Sequence, residues 1–154
     1  MRSAVPMSLS SSPHGGSRDA CLIDTSAWIE YLRATGSAAH VEVRRLLLEE
    51  PDRVAVTEPV VMELLAGATS TSALGKLEML TSGLRRLPLD PAVDFHSAAS
   101  VFRAARSDGR TVRKLIDCLI ASVALRTDTL LVHRDRDFDA LAELLPDLRT
   151  TFLR

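Results

Sequence analysis

The chain has 154 residues, 46% of them hydrophobic, which sets a single globular domain with a core of its own and argues against a second. A net charge of −1 and a pI near 6.4 exclude nucleic-acid binding through overall charge, so any such contact must be local. No stretch reaches the ~18 apolar residues of a membrane span and the first twenty residues hold no signal-peptide core, which predicts a cytoplasmic protein without a membrane partner.

Residues 1–19, rich in Ser, Pro and Gly, read as a disordered extension or as the result of a translation start placed too far upstream, and residues 20–154 as the folded domain. Ala20 to Asp24 is a short apolar run of the kind used for a strand buried on both faces. Thr25 or Ser26 then caps a helix carrying Ala27, Trp28, Ile29, Tyr31 and Leu32, which Gly36 ends. Val41 to Glu50 reads as an amphipathic helix and Val54 to Thr57 as a second strand. Pro59 stands in the first turn of the next helix, which reaches Gly67. Further helices fit Ser72 to Leu84 and Asp90 to Arg106, separated by a short extended piece at Arg86 to Leu89. Leu115 to Arg126 is apolar nearly all round and predicts a buried helix. Thr129 to Val132 is a strand, Phe138 to Leu145 a helix, and Leu148 to Leu153 a final edge strand. Strands alternating with helices in this way imply a three-layer α/β/α domain with a mainly parallel central sheet.

Four acids interrupt or follow these apolar runs. Asp24 ends Cys21-Leu22-Ile23, Glu63 lies between Val60-Val61-Met62 and Leu64-Leu65, Asp117 follows Leu115-Ile116, and Asp135 comes just after Leu130-Leu131-Val132. Burying a carboxylate is costly unless it is paired or binds a metal, and no Lys or Arg stands inside the same runs. In an open parallel sheet, ligands gather outside the carboxyl ends of the strands, where all four acids can meet. Carboxylates 4 Å apart repel by roughly 4 kcal/mol per pair at moderate effective dielectric. A divalent cation relieves that conflict, and an all-oxygen site suits Mg²⁺ or Mn²⁺. Phosphodiester hydrolysis is the chemistry that best fits such an acid-only site.

The other polar residues have plainer readings. Cys21 and Cys118 sit in apolar runs without C-x-x-C spacing and read as core thiols of a reducing compartment. His96 and His133 have no second histidine at ligand spacing and read as packing or surface residues. Arg103, Arg106, Arg110, Arg113 and Lys114 lead up to Asp117, and Arg134 and Arg136 flank Asp135. A solvated face is the default for such charges; if the acids meet, they rim the same crevice and can hold phosphates. Trp28 and Tyr31 read as core or dimer contacts.

Leu22-Ile23-Asp24-Thr25-Ser26-Ala27, Val60-Val61-Met62-Glu63-Leu64, Asp117-Cys118-Leu119-Ile120-Ala121 and Val132-His133-Arg134-Asp135-Arg136-Asp137-Phe138 together resemble a PIN-domain ribonuclease. More narrowly, they are similar to the VapC-type toxins of type II toxin–antitoxin pairs. That resemblance implies a Mg²⁺- or Mn²⁺-dependent endoribonuclease acting on structured RNA such as tRNA, forming a homodimer and held inactive by a cognate antitoxin. It makes Asp24, Glu63, Asp117 and Asp135 the catalytic and metal-binding quartet, with Asp137 as an outer partner. The presence of all four acids counts against a binding module that keeps this fold without activity, and two other readings compete. One is a housekeeping PIN-domain nuclease. The other is a phosphatase- or receiver-like acidic-site domain, against which Asp24-Thr25-Ser26 lacks the second aspartate of Asp-x-Asp-x-Thr and no lysine follows a late strand.

Overall fold

The computed structural model of the protein describes residues 19–154. The extension expected over residues 1–19 lies outside them except for Asp19, whose carbonyl accepts a hydrogen bond from Arg53 Nε at 2.8 Å. Five short strands, β1 (Cys21–Ile23), β2 (Val54–Val56), β3 (Arg85–Arg86), β4 (Leu130–His133) and β5 (Thr150–Phe152), form one sheet in the order β3-β2-β1-β4-β5. Every neighbouring pair is parallel.

Parallel neighbours need crossovers, and seven helices supply them: α1 (Thr25–Leu32), α2 (Ala38–Glu49), α3 (Glu58–Ala66), α4 (Thr71–Ser82), α5 (Asp94–Ser107), α6 (Leu115–Thr127) and α7 (Arg136–Leu144). The strand order first runs outward from β1 through β2 to β3, then jumps back to β4. With right-handed crossovers this reversal puts α1 to α4 on one face and α5 to α7 on the other, giving the three layers. Packing agrees, since α1 rests on α2 while α5, α6 and α7 pack on one another.

The central strands read as continuous apolar runs because both their faces are covered; all residues of β1 and β2 are buried. Trp28, Phe138, Leu22, Ile23 and Ile120 are among the largest fully buried side chains. Cys21 and Cys118 are free, buried thiols. Burial raises the pKa of both, so neither is a ready nucleophile. No described helix is long and apolar enough to cross a membrane.

Four helix starts differ from expectation: α2 opens at Ala38 rather than Val41 because Ser37 caps it, α7 opens at Arg136 rather than Phe138 because Asp135 caps it, and α1 and α5 differ as well. The N-cap of α1 is Asp24, not Thr25 or Ser26: its carboxylate accepts the Ser26 N–H at 2.9 Å, and Thr25 is already helical. Helix α5 begins at Asp94 rather than Asp90, because Asp90 first closes a turn, accepting the Ala92 N–H at 3.0 Å while its own N–H bonds Asp94 Oδ2 at 2.7 Å. Asp94 is fully buried and takes Arg126 Nε and Nη2 at 2.9 and 2.8 Å, clamping α5 to α6.

Candidate metal centre

The reversal of strand order between β1 and β4 opens a crevice beyond their carboxyl ends, the place where such sheets bind ligands. Asp24 follows β1 directly and Asp135 lies just past β4, where it caps α7 by accepting the Asp137 N–H at 3.0 Å. Asp117 sits in the first turn of α6, buried, and Glu63 in the middle of α3, half-buried. Burial raises the pKa of the Asp24 carboxyl, opposed by the Ser26 bonds and reinforced by the charge of Glu63. Burial first, then the charge of Asp24, pushes Asp117 up to about 7, with Asp135 and Glu63 adding to the rise. The four expected acids thus share one electrostatic neighbourhood.

Their hydrogen bonds differ in a way that matters. Asp24 Oδ2 is held by the Ser26 hydroxyl at 2.6 Å as well as by its N–H, while Asp24 Oδ1 is buried without a donor among the described residues. Asp117 Oδ2 is buried and donorless too. Glu63 Oε1 accepts the Thr25 hydroxyl at 2.8 Å. Buried polar atoms without partners are rare in folded proteins, and two carboxylate oxygens in that condition at a strand-end crevice are ligand atoms that suit a divalent cation.

Among the described residues, the acids that come within ligand distance of one another are Asp117, Asp135 and Asp137; Asp24 and Glu63 lie outside that group. One carboxylate oxygen from each of Asp117, Asp135 and Asp137 lies within 4.8 Å of the others. Asp137 is buried, and its Oδ2 accepts the Arg113 N–H at 3.1 Å and Arg113 Nε at 3.3 Å. Arg113 also reaches Asp135 Oδ1 at 3.6 Å. Asp137 therefore ties the segment ahead of α6 to α7 and faces the same space as the metal candidates.

Three participants were not singled out by sequence. Ser26 bridges the two strand ends, donating to Asp24 and accepting the Arg134 N–H at 2.9 Å. Thr25 holds Glu63, and Arg113 neutralises part of the acid cluster. The signal for the first two was the hydroxyl pair immediately after Asp24, whose partners lie 108 and 38 residues away. Arg113 was visible only as one member of a basic run.

That run does not act as a unit. Arg110 pairs with Asp108 at 2.5 Å and with Glu143, whereas Arg103 and Arg106 line a shallow depression with Ser107. His133 is fully buried, its ring 5.1 Å from that of Phe138 and 5.6 Å from that of Phe152. Burial lowers its pKa, and its place against the two rings is that of a packing residue.

Residues 21–144 match the PIN domain family. The chain is 55% identical over 123 residues to ribonuclease VapC11 of Mycobacterium tuberculosis, covering 80% of this chain and 92% of that protein. Among solved structures, VapBC2 from Rickettsia felis, bound to a promoter DNA fragment, superposes with a TM-score of 0.67 at 16% identity, covering 87% of this chain and 98% of that one. Mycobacterium tuberculosis VapC20, a sarcin-ricin-loop-cleaving toxin, superposes with a TM-score of 0.60 at 23% identity, covering 79% and 94%. At these identities the two structures speak for the fold.

Proposed function

The chain belongs to the PIN-domain family as a ribonuclease of the VapC type, and from that premise we propose that it is the toxin of a VapBC-type pair, a Mg²⁺- or Mn²⁺-dependent endoribonuclease of structured RNA such as tRNA. The observation that carries the metal dependence is the pair of buried, donorless carboxylate oxygens on Asp24 and Asp117. Asp24, Asp117 and Asp135 would hold the ion, with Glu63 completing the quartet and Asp137 bracing it. When bound, Mg²⁺ or Mn²⁺ supplies a water of lowered pKa and stabilises charge on the phosphoryl oxygens.

The chain's own residues do the positioning. Ser26 fixes the Asp24 carboxylate and joins it to the loop that carries Asp135. Thr25 orients Glu63. Arg134 and Arg136 flank Asp135 and supply positive charge for the RNA backbone. Attack through a ribose 2′-hydroxyl needs an acid–base pair, and the nearby histidine, His133, is sealed between Phe138 and Phe152. Products should therefore carry 5′-phosphate and 3′-hydroxyl ends.

Inhibition by an antitoxin is supported by an apolar cavity of about 510 Å³ between α1, α3 and α4. Ile29, Leu32, Leu64, Leu77 and Leu80 line it, and Thr25 and Glu63 stand at its acid-centre end. An amphipathic helix can lay its apolar face there and offer a basic group to the acids. Val41 and Leu48 on α2 are also exposed, but they border a separate depression with Arg44 and Arg45. Met62, Phe95 and Leu115 are also exposed, and a homodimer would have to cover apolar surface of this kind.

The deciding experiment is incubation of purified protein with total RNA, with and without Mg²⁺ or Mn²⁺, followed by end mapping. Metal-dependent cuts with 5′-phosphate ends support the reading. Cyclic-phosphate ends, or cutting at full rate in EDTA, would sink it.

A further inference from the structure

The loop from β4 to α7 borders a second concave surface, an open cavity of about 590 Å³ lined by Arg134, Arg136, Asp139, Phe152 and Arg154. Its wall is fastened to the acid centre. Arg134 is held by Glu30 at 2.6 Å, and its N–H bonds the same Ser26 hydroxyl that grips Asp24. Arg136, the first residue of α7, directly follows Asp135. Among the described residues neither Arg136 nor Arg154 forms an ion pair with an acidic side chain, and Asp139 is the one acidic side chain lining the cavity. The Phe152 ring is backed by the His133 imidazole, stacked at 30°, which makes it a firm edge rather than a loose surface side chain.

Unpaired arginines beside a braced aromatic ring are the chemistry of single-stranded nucleic-acid binding, with cations for phosphates and a π-face for bases. A strand whose scissile phosphate lies at the acids must continue over a bordering surface, and Arg136 and Arg134 stand at the lip between the two. We propose that this cavity is a flanking subsite for the RNA substrate, in which Arg136 and Arg154 hold backbone phosphates beside the scissile bond and Phe152 stacks on a base. The inference rests on the ribonuclease reading and adds where the strand runs.

The test uses native protein to map a cut in total RNA and then a fluorescent oligonucleotide of about ten nucleotides spanning that cut, a length typical of such binding sites. Binding is measured in the cleavage-inert Asp117→Asn background. Arg136→Gln with Arg154→Gln should weaken binding and make the slope of log affinity against log salt shallower by about 1.4, two single-strand phosphate contacts. Phe152→Leu, which keeps an apolar side chain against His133, should weaken binding roughly tenfold and leave the slope alone. A general loss of structure would not separate the two effects. An unchanged slope in the arginine variant, or full affinity in Phe152→Leu, overturns the subsite while the ribonuclease reading stands on the mapped cut. A native protein that cuts no RNA overturns both.

Discussion

Asp117 is the residue through which the proposed metal binding would be tied to stability. Its carboxyl, pushed from an ordinary 3.8 up to about 7, keeps its proton in the folded protein over a pH range in which the unfolded chain has lost it. A raised acid pKa favours folding at low pH, so the metal-free protein should lose stability as pH rises from about 4 to about 7 and then level off. Thermal melts in EDTA across that range should show the fall. Asp117→Asn should flatten it and raise the melting temperature at pH 8. Because the ion competes with that proton, Mn²⁺ affinity measured by calorimetry should climb with pH to about 7. Asp24→Asn and Asp117→Asn should both abolish cleavage in a folded protein. Ser26→Ala and Asp137→Asn, which remove bracing partners, should lower Mn²⁺ affinity by about 10- to 100-fold. If Asp137→Asn instead removes binding as completely as Asp117→Asn, Asp137 is a direct ligand.

Among the elements, α6 matters most because it carries Asp117 while buried on nearly every side. Its alignment depends on the clamp at its far end, where Arg126 grips Asp94 and the Pro88 carbonyl. Burial alone would raise the Asp94 pKa, and Arg126 with the Asp90 N–H reverses this to hold it below its ordinary value. A lowered acid pKa means this stabilisation is present at neutral pH and is lost as the solution is acidified through the acid range. Asp94→Ala should cost about 2–3 kcal/mol in urea denaturation, the worth of charge-assisted hydrogen bonds around a part-buried guanidinium. Arg126→Met, which leaves an apolar side chain but strands Asp94, should destabilise comparably at pH 7 and less at pH 4. Equal losses at both values would show that packing, rather than charge, is what the clamp provides.

For the molecule as a whole, the proposed inhibition by an antitoxin would use the apolar cavity between α1, α3 and α4, whose lining includes Thr25 and Glu63. Expression of the chain alone should arrest growth, and co-expression of a small neighbouring partner should restore it. Leu77→Lys, in the cavity wall, should weaken that rescue while leaving Asp24, Asp117 and Asp135 untouched. Harmless expression of a protein that nevertheless cuts RNA efficiently would favour the housekeeping nuclease. A partner that rescues growth equally well with Leu77→Lys would place the inhibitory contact elsewhere.

Much of this was legible in the chain itself. The strand and helix sequence, the parallel sheet and the four acids follow from apolar periodicity, because burial on two faces gives continuous runs and an acid inside such a run stands out. What periodicity does not carry is contact across long separations. That Ser26 would clasp both Asp24 and the Arg134 N–H, that Arg113 would turn onto Asp137, and that Arg136 and Arg154 would border one cavity with Phe152 depend on which strand ends the fold sets side by side. Helix starts behaved likewise: Asp24 caps α1 because its backbone leaves β1 extended, which no local composition distinguishes from a cap at Thr25 or Ser26. Residue types determined the chemistry on offer. The β1–β4 reversal decided which of those residues meet, since only packing brings together groups that the chain keeps more than a hundred residues apart.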